Sequence, residues 1–269
     1  MNFRAGVKRF AVRLFRSRAG QRFLDRVGSH VDLWRGYGAG AYIDTSGESV
    51  LFELVRKRNE GASNVVIFDV GANVGEFSAA AFDALGRSVM IHAFEPAREV
   101  FQKLSGRYAG NDRMALNNVA LGREAGERAL FGNSSDSGMA SLSQRKLDRK
   151  DEPQFQETVK VIRLSDYCSA KKIERIDLLK MDVEGFELEV LAGADPLFSN
   201  GKIDLCSFEF GGCNLDSRTF LRDFFEFFQA RNMEIFRITS AATIVKLPRY
   251  HEQLEKFTTT NYVAIRKAE

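Results

Sequence analysis

The stretch Val65-Val66-Ile67-Phe68-Asp69-Val70-Gly71-Ala72-Asn73-Val74-Gly75 decides how the rest of the chain is read. Its first six residues are apolar except for Asp69, with no polar alternation. A strand buried on both faces of a parallel sheet has that pattern. The strand runs straight into a glycine turn and then a helix expected over Val74–Leu85, which is the start of a strand–helix–strand unit. Working outward, Val89–Phe94 reads as a second strand, Arg98–Tyr108 as a helix and Met114–Leu121 as a third strand. The alternation then pauses. Glu127–Phe131 and Val159–Leu164 read as short strands around a Ser-, Gly- and Lys-rich loop over 132–153. It resumes with strand Ile176–Met181, helix Glu184–Ala192, strand Ile203–Phe210, helix Ser217–Arg231, strand Met233–Ile238 and a closing strand Asn261–Arg266. This order predicts an α/β fold with a doubly wound sheet. Such sheets bind ligands beyond the carboxyl ends of the strands, where the strand order switches.

Upstream of the sheet the character changes. Residues 1–35 hold nine Lys/Arg against two acids, a balance of +7, and the rest of the chain carries thirty basic against thirty-four acidic residues, −4. Phe3, Val7, Phe10 and Leu14 recur at four, three and four residues, the spacing of an amphipathic helix. We therefore divide the chain into a basic helical extension, residues 1–48, with a Gly-rich connector over 36–50, and a catalytic body, residues 49–269. A basic amphipathic helix suits packing on the body, peripheral contact with the inner membrane surface, or a transit peptide. No apolar run exceeds four residues, so neither a membrane span nor a secretory leader is expected. Three scattered cysteines among 269 residues read as reduced thiols in a cytoplasmic protein. The acidic body argues against nucleic acid as a partner.

The glycine turn carries the first chemistry. Gly71 lets a ligand or a neighbouring loop approach the backbone, Asn73 tolerates a left-handed conformation, and Gly75 allows the helix to pack closely. Glu95 ends the second strand twenty residues past Gly75, where a carboxylate accepts two hydrogen bonds from a ribose diol. A nicotinamide dinucleotide calls for G-x-G-x-x-G. Here the spacing is G-x-N-x-G followed by Glu76. Acids beside the turn repel a pyrophosphate and suit a cationic nucleoside. S-adenosylmethionine, leaving as S-adenosylhomocysteine, is the cofactor this pattern selects.

A second patch follows the fourth long strand: Ile176-Asp177-Leu178-Leu179-Lys180-Met181-Asp182-Val183-Glu184-Gly185. Asp182 and Glu184 sit where a donor and an acceptor would meet, and Glu209 ends the next strand. They are the candidates for accepting a proton or positioning an acceptor. The three would also make an oxygen donor set for a cation, but without a supporting histidine the sequence assigns no metal. Lys180 lies two residues before Asp182, on the same strand face. His92 reads as a core residue inside its strand. Ser134–Ser143 and Lys246–Phe257 are candidate lids, whose Arg145, Lys146, Arg249 and His251 suit an anionic substrate group.

The stretches Val66–Gly75, His92-Ala93-Phe94-Glu95-Pro96, Asn118-Val119-Ala120-Leu121-Gly122, Ile176–Leu191 and Asn261-Tyr262-Val263-Ala264 together resemble the FkbM-type methyltransferases. The resemblance covers about residues 64–266. It implies a seven-stranded class I methyltransferase (Rossmann-like) sheet, S-adenosylmethionine, and methylation of a hydroxyl on a sugar, glycan or secondary metabolite. By the same resemblance Asp69, Gly71, Ala72, Asn73 and Gly75 hold the methionine part, with Asp182 close by. Glu95 holds the ribose, and Asn118, Val119 and Ala120 border the adenine. Ala120 falls where many class I enzymes place an acid, which leaves adenine recognition to backbone groups. The catalytic set is Asp182, Glu184 and Glu209. Three readings compete: an RNA or protein methyltransferase on the same fold, a nicotinamide-dependent oxidoreductase, and a non-catalytic module docked through the basic arm.

Overall fold

The computed structural model describes residues 15–40, 43–61, 64–132, 140–142 and 155–267. In chain order the helices are α1 (Arg18–Trp34), α2 (Ile43–Ser46), α3 (Ser49–Arg58), α4 (Glu76–Leu85), α5 (Arg98–Arg107), α6 (Leu164–Lys171), α7 (Glu187–Ser199), α8 (Cys213–Ser217) and α9 (Leu221–Gln229). The strands are β1 (Val65–Val70), β2 (Val89–Phe94), β3 (Met114–Asn117), β4 (Ala120–Leu121), β5 (Gly126–Gly132), β6 (Phe155–Ile162), β7 (Ile176–Met181), β8 (Ile203–Phe210), β9 (Met233–Ile238), β10 (Ile244–Leu247) and β11 (Thr260–Arg266).

Eight strands form the central sheet in the order β10-β9-β11-β8-β7-β1-β2-β3. The block β3-β2-β1-β7-β8 is parallel, and β11 runs antiparallel between β8 and β9. The chain winds one way from β1 to β3 and the other way from β7 to β8. The switch point is therefore the gap between the carboxyl ends of β1 and β7. Both faces of the centre are buried, as the unalternating runs predict. Ile67, Ile91, Leu178 and Leu205 join the core on one face, and Phe68, Phe94, Leu179 and Phe208 join the core on the other. On the second face Phe208 stacks on Phe224, with ring centroids 4.6 Å apart and 3° between the planes.

The structure amends several sequence expectations. The central sheet has eight strands, not seven, because β10 adds an antiparallel edge beside β9. The expected third strand, Met114–Leu121, divides. Asn118 ties its side-chain amide to the carbonyls of Glu95 and Pro96 at 2.9 Å each. The chain turns there, and β4 joins a separate sheet, β4-β6-β5. The helix expected from Glu184 starts at Glu187, because Glu184 and Gly185 are left-handed. The helix expected over Ser217–Arg231 is shorter, Leu221–Gln229, because left-handed Arg218 closes the separate short helix α8 before it. The supposed lid Lys246–Phe257 is packed: Lys246 pairs with Glu234 at 2.8 Å, Leu254 is buried, and Lys256 meets Asp32 at 2.6 Å. Its Arg249 and His251 are exposed.

The Gly-rich connector is packed as well. Tyr37, Ser46 and Gly47 are buried, and Gly38 N–H donates to the Thr259 carbonyl at 2.8 Å. The chain thus joins the body about ten residues before the boundary drawn at 48. The apolar stripe from Phe3 to Leu14 lies outside the described residues, as do Arg145, Lys146 and most of the Ser134–Ser143 loop.

Candidate functional site

The turn after β1 is clamped from both sides. Gly71 and Ala72 donate their backbone N–H groups to the Phe94 carbonyl at 3.0 Å, and Asp182 N–H donates to the Val70 carbonyl at 2.9 Å. Gly71 has φ +76°, and a Cβ there would strike the Asp182 carbonyl. Only glycine lets these two loops close together at the switch point. Asn73 is left-handed, with φ 48°, and its N–H donates to Glu95 Oε2 at 3.0 Å. Gly75 caps α4, and its carbonyl accepts from the Tyr108 hydroxyl at 2.6 Å.

These elements open onto a cavity at the switch point. Its polar rim is Gly71, Asn73, Glu95 and Asp182. Its apolar walls are Val119, Ala120, Leu121, Leu130, Leu142, Val183 and Phe186. Val119 and Ala120 are thus part of the cavity wall. Asn118 lies just outside it and holds the Glu95–Pro96 backbone. Glu95 is buried, its Oε1 accepting from Ala97 N–H at 2.9 Å. Burial pushes its carboxyl up to about 7, against the pull of the Ala97 and Asn73 N–H groups. Each oxygen keeps a lone pair for a further donor. An apolar slot ending in one carboxylate with free lone pairs can take a flat base in the slot and a diol on the carboxylate.

Asp69 lies deeper than the rest. It is fully buried, accepts from the Ser78 hydroxyl at 2.7 Å, and lies 3.6 Å from the Lys180 ammonium. Ala72 is buried beneath the turn. Both shape the floor of the turn and lie outside the cavity lining.

The second half of the site is acidic and built around Lys180. This ammonium is buried, lies 3.4 Å from Asp182 Oδ2, and sits 5.5 Å above the Phe77 ring. Burial alone would lower its pKa, but the carboxylates of Asp182, Asp69 and Glu48 outweigh that and hold it above its ordinary value. Asp182 is the hinge between the halves, lining the cavity and pairing with Lys180. Glu184 is left-handed, with φ 53°, a conformation costing roughly 1–3 kcal/mol in a residue with a Cβ. Its carbonyl accepts from Ser141 at 2.8 Å, and the Cys213 thiol donates to its Oε2 at 2.7 Å. Glu184, Glu209 and Cys213 bring one ligand atom each within 4.8 Å of one another. Asp182, expected in a cation donor set, is outside this group. Burial first, then the neighbouring Asp182, Glu184, Glu187 and Glu48, push Glu209 up to about 10. It holds its proton at neutral pH and is a hydrogen-bond donor there.

Sequence reasoning missed Glu48. It comes from the supposed connector, yet its carboxylate is held by the Ser46 hydroxyl at 2.9 Å and interacts with Lys180, Asp182 and Asp69. Burial raises its pKa against the pull of Lys180. Gly40 approaches from the same segment, and a Cβ there would lie 3.4 Å from Glu209 Oε2. No local signal marks Glu48, because nothing short of the tertiary fold brings it to a lysine more than 130 residues away. His92 is the core residue expected: its Nδ1 lies 2.9 Å from the Tyr167 hydroxyl, and burial lowers it to about 4, so the ring is neutral.

A model of the methyltransferase FkbM domain matches residues 69–234, more than half of the chain. Among characterised relatives, the 2-O-methyltransferase NoeI of Sinorhizobium fredii is 34% identical over 142 residues, 48% of this chain and 56% of that protein. The 31-O-demethyl-FK506 methyltransferase FkbM of Streptomyces tacrolimicus is 32% identical over 157 residues, 48% of this chain and 59% of that protein. The chain thus spans less than two thirds of the length of these relatives. A crystal structure of a methyltransferase FkbM from Methylobacillus flagellatus aligns over 75% of this chain and 44% of that one, at 18% identity and a TM-score of 0.47. The clamped glycine turn, Glu95 and the acidic turn after β7 all lie inside the matched region, and the chain belongs to the FkbM methyltransferase family.

Proposed function

We propose that the chain is an S-adenosylmethionine-dependent O-methyltransferase acting on a hydroxyl of a small molecule or glycan. One observation carries the reading: Asp182 lies at the junction of the cavity that ends on Glu95 and a carboxylate cluster. The names of the two relatives, a 2-O-methyltransferase and a 31-O-demethyl-FK506 methyltransferase, support oxygen as the acceptor atom. The acidic balance of residues 36–269 weighs against a nucleic-acid acceptor.

The cofactor, when bound, supplies an electrophilic methyl group on a positively charged sulfur. The chain's own residues do the rest. Glu95 accepts from the ribose hydroxyls, and Val119, Leu142 and Phe186 enclose the base. The negative field of Asp182 and its neighbours favours the cationic donor over its neutral product. Asp182 takes the acceptor's proton, with Lys180 at 3.4 Å holding that carboxylate in place. Glu209, protonated, donates a hydrogen bond to an acceptor oxygen. Glu184 and Glu48 complete the polar wall on the acceptor side.

The test is methyl transfer from labelled S-adenosylmethionine to a panel of sugars, glycans and hydroxylated metabolites. Asp182→Asn, assayed at saturating cofactor, should lower kcat by roughly 100- to 10,000-fold, the usual share of a general base. Near-normal turnover in that variant would remove Asp182 from the role.

A further inference from the structure

Helix α1 presents an apolar face that is largely open: among the described residues Phe15 stacks on Phe23 at its N-terminal end, with ring centroids 6.2 Å apart. None of its seventeen residues is buried. Phe23, Val27, Val31 and Trp34 recur at four, four and three residues and are 56%, 44%, 41% and 70% exposed, with Leu24 beside them. That spacing makes one continuous stripe. Arg18, Arg22 and Arg26 recur at four residues on the opposite, polar face. Soluble surfaces rarely leave such a stripe in water.

The helix is held at its C-terminal end. Asp32 pairs with Lys256, the Leu33 carbonyl accepts from Ser240, and the Arg35 carbonyl accepts from the Arg237 guanidinium at 2.9 Å. Six residues past Trp34 the chain reaches Gly40, against Glu209.

We propose that α1 is a docking surface for an anionic lipid bilayer. Charge selects this occupant. Residues 1–35 carry +7, so a second copy laid on the stripe would bring like charge to like charge. An anionic surface satisfies the stripe and the arginines together, with the apolar face in the acyl boundary and the arginines among headgroups. The same pattern continues upstream in the sequence, where Phe3, Val7, Phe10 and Leu14 alternate with Arg4, Lys8, Arg9 and Arg13. No described helix is long and apolar enough to cross a membrane, so contact is lateral. Anchored by its C-terminal end, a docked α1 holds the acceptor side of the site close to the bilayer surface.

Trp34 is the single tryptophan of the chain and reports on its own face. The full-length protein is mixed with phosphatidylcholine vesicles, with and without phosphatidylglycerol. The proposal expects a blue-shifted emission and co-sedimentation on the anionic vesicles alone, weakening as salt is raised. Val27→Asp should abolish both, and Arg22→Glu with Arg26→Glu should weaken binding about tenfold or more. Unchanged affinity for S-adenosylhomocysteine in these variants separates lost docking from lost folding. Equal binding to neutral vesicles, or no shift on anionic ones, overturns the proposal. A blue shift without lipid that follows dimer formation in light scattering, and is lost in Val27→Asp, overturns it in favour of a second copy.

Discussion

In the proposed reading cofactor recognition turns on Glu95, and the protonation of that carboxyl sets a pH dependence. Its carboxyl is raised to about 7 in the folded protein, from an ordinary value of 4.5. A ribose diol donates two hydrogen bonds and so prefers the ionised form. Cofactor affinity should therefore rise as pH increases through about 7 and level off above it. Glu95→Gln should flatten that profile, and calorimetry from pH 6 to pH 8 reads both. A second carboxyl tests burial apart from binding. Glu187 is buried at 1% exposure, with Oε1 accepting from Val183 and Gly185 at 3.2 Å, while Oε2 has no hydrogen-bond partner among the described residues. Burial pushes it up to about 8. A raised carboxyl keeps its proton in the folded state after the unfolded state has lost its own, so stability falls as pH climbs from about 4.5 to about 8. Glu187→Gln retains the accepting oxygen and cannot ionise. Its melting temperature relative to the parent should improve between pH 5 and pH 8, and a difference constant with pH would contradict this.

At the scale of elements, α7 and the small sheet shape the cavity wall beside Glu95. Gly193 of α7 packs directly on the Gly122 carbonyl, just past β4, and a Cβ there would overlap that oxygen. Gly193→Ala should cost about 1–3 kcal/mol in denaturant unfolding, the usual penalty for overpacking. It should also weaken cofactor binding, because β4 carries Ala120 and Leu121 of the cavity wall. Wild-type affinity alongside the lost stability would show that the slot does not depend on this contact. The elements most legible in the sequence are those buried on both faces: Val65–Val70, Ile176–Met181 and Ile203–Phe210 are apolar runs broken only by single polar residues, and their bounds match. Less legible are elements whose limits are set by contacts distant in sequence. β10 is a four-residue edge with Val245 and Lys246 exposed, too short to declare a period. The break between β3 and β4 depends on where the Asn118 amide finds carbonyls. The carboxylates of the acidic turn are legible as a cluster in the sequence, but Glu48 is not, because its segment looks like any Gly-rich connector.

For the molecule as a whole, the packed segment 36–48 joins the basic helix to the body and to the site. Arg237 is buried, donates to the Arg35 carbonyl, and lies 4.5 Å above the Tyr37 ring. Removing residues 1–29 leaves these contacts in place and should cost little stability. Removing residues 1–40 strips a buried guanidinium of its acceptor and its ring. That should lower the unfolding free energy by several kcal/mol, on the order of a broken buried polar pair. Equal stability of the two truncations, measured by denaturant titration, would show that the segment does not hold the body together. The central claim is that the switch point between β1 and β7 is built for S-adenosylmethionine. It is tested most directly by calorimetric titration of the full chain with S-adenosylmethionine, S-adenosylhomocysteine and NAD, each repeated on Glu95→Ala. The account predicts that the first two bind the parent, that both are lost in Glu95→Ala, and that NAD does not bind. Binding of NAD alone, or S-adenosylmethionine binding that survives Glu95→Ala, would contradict it.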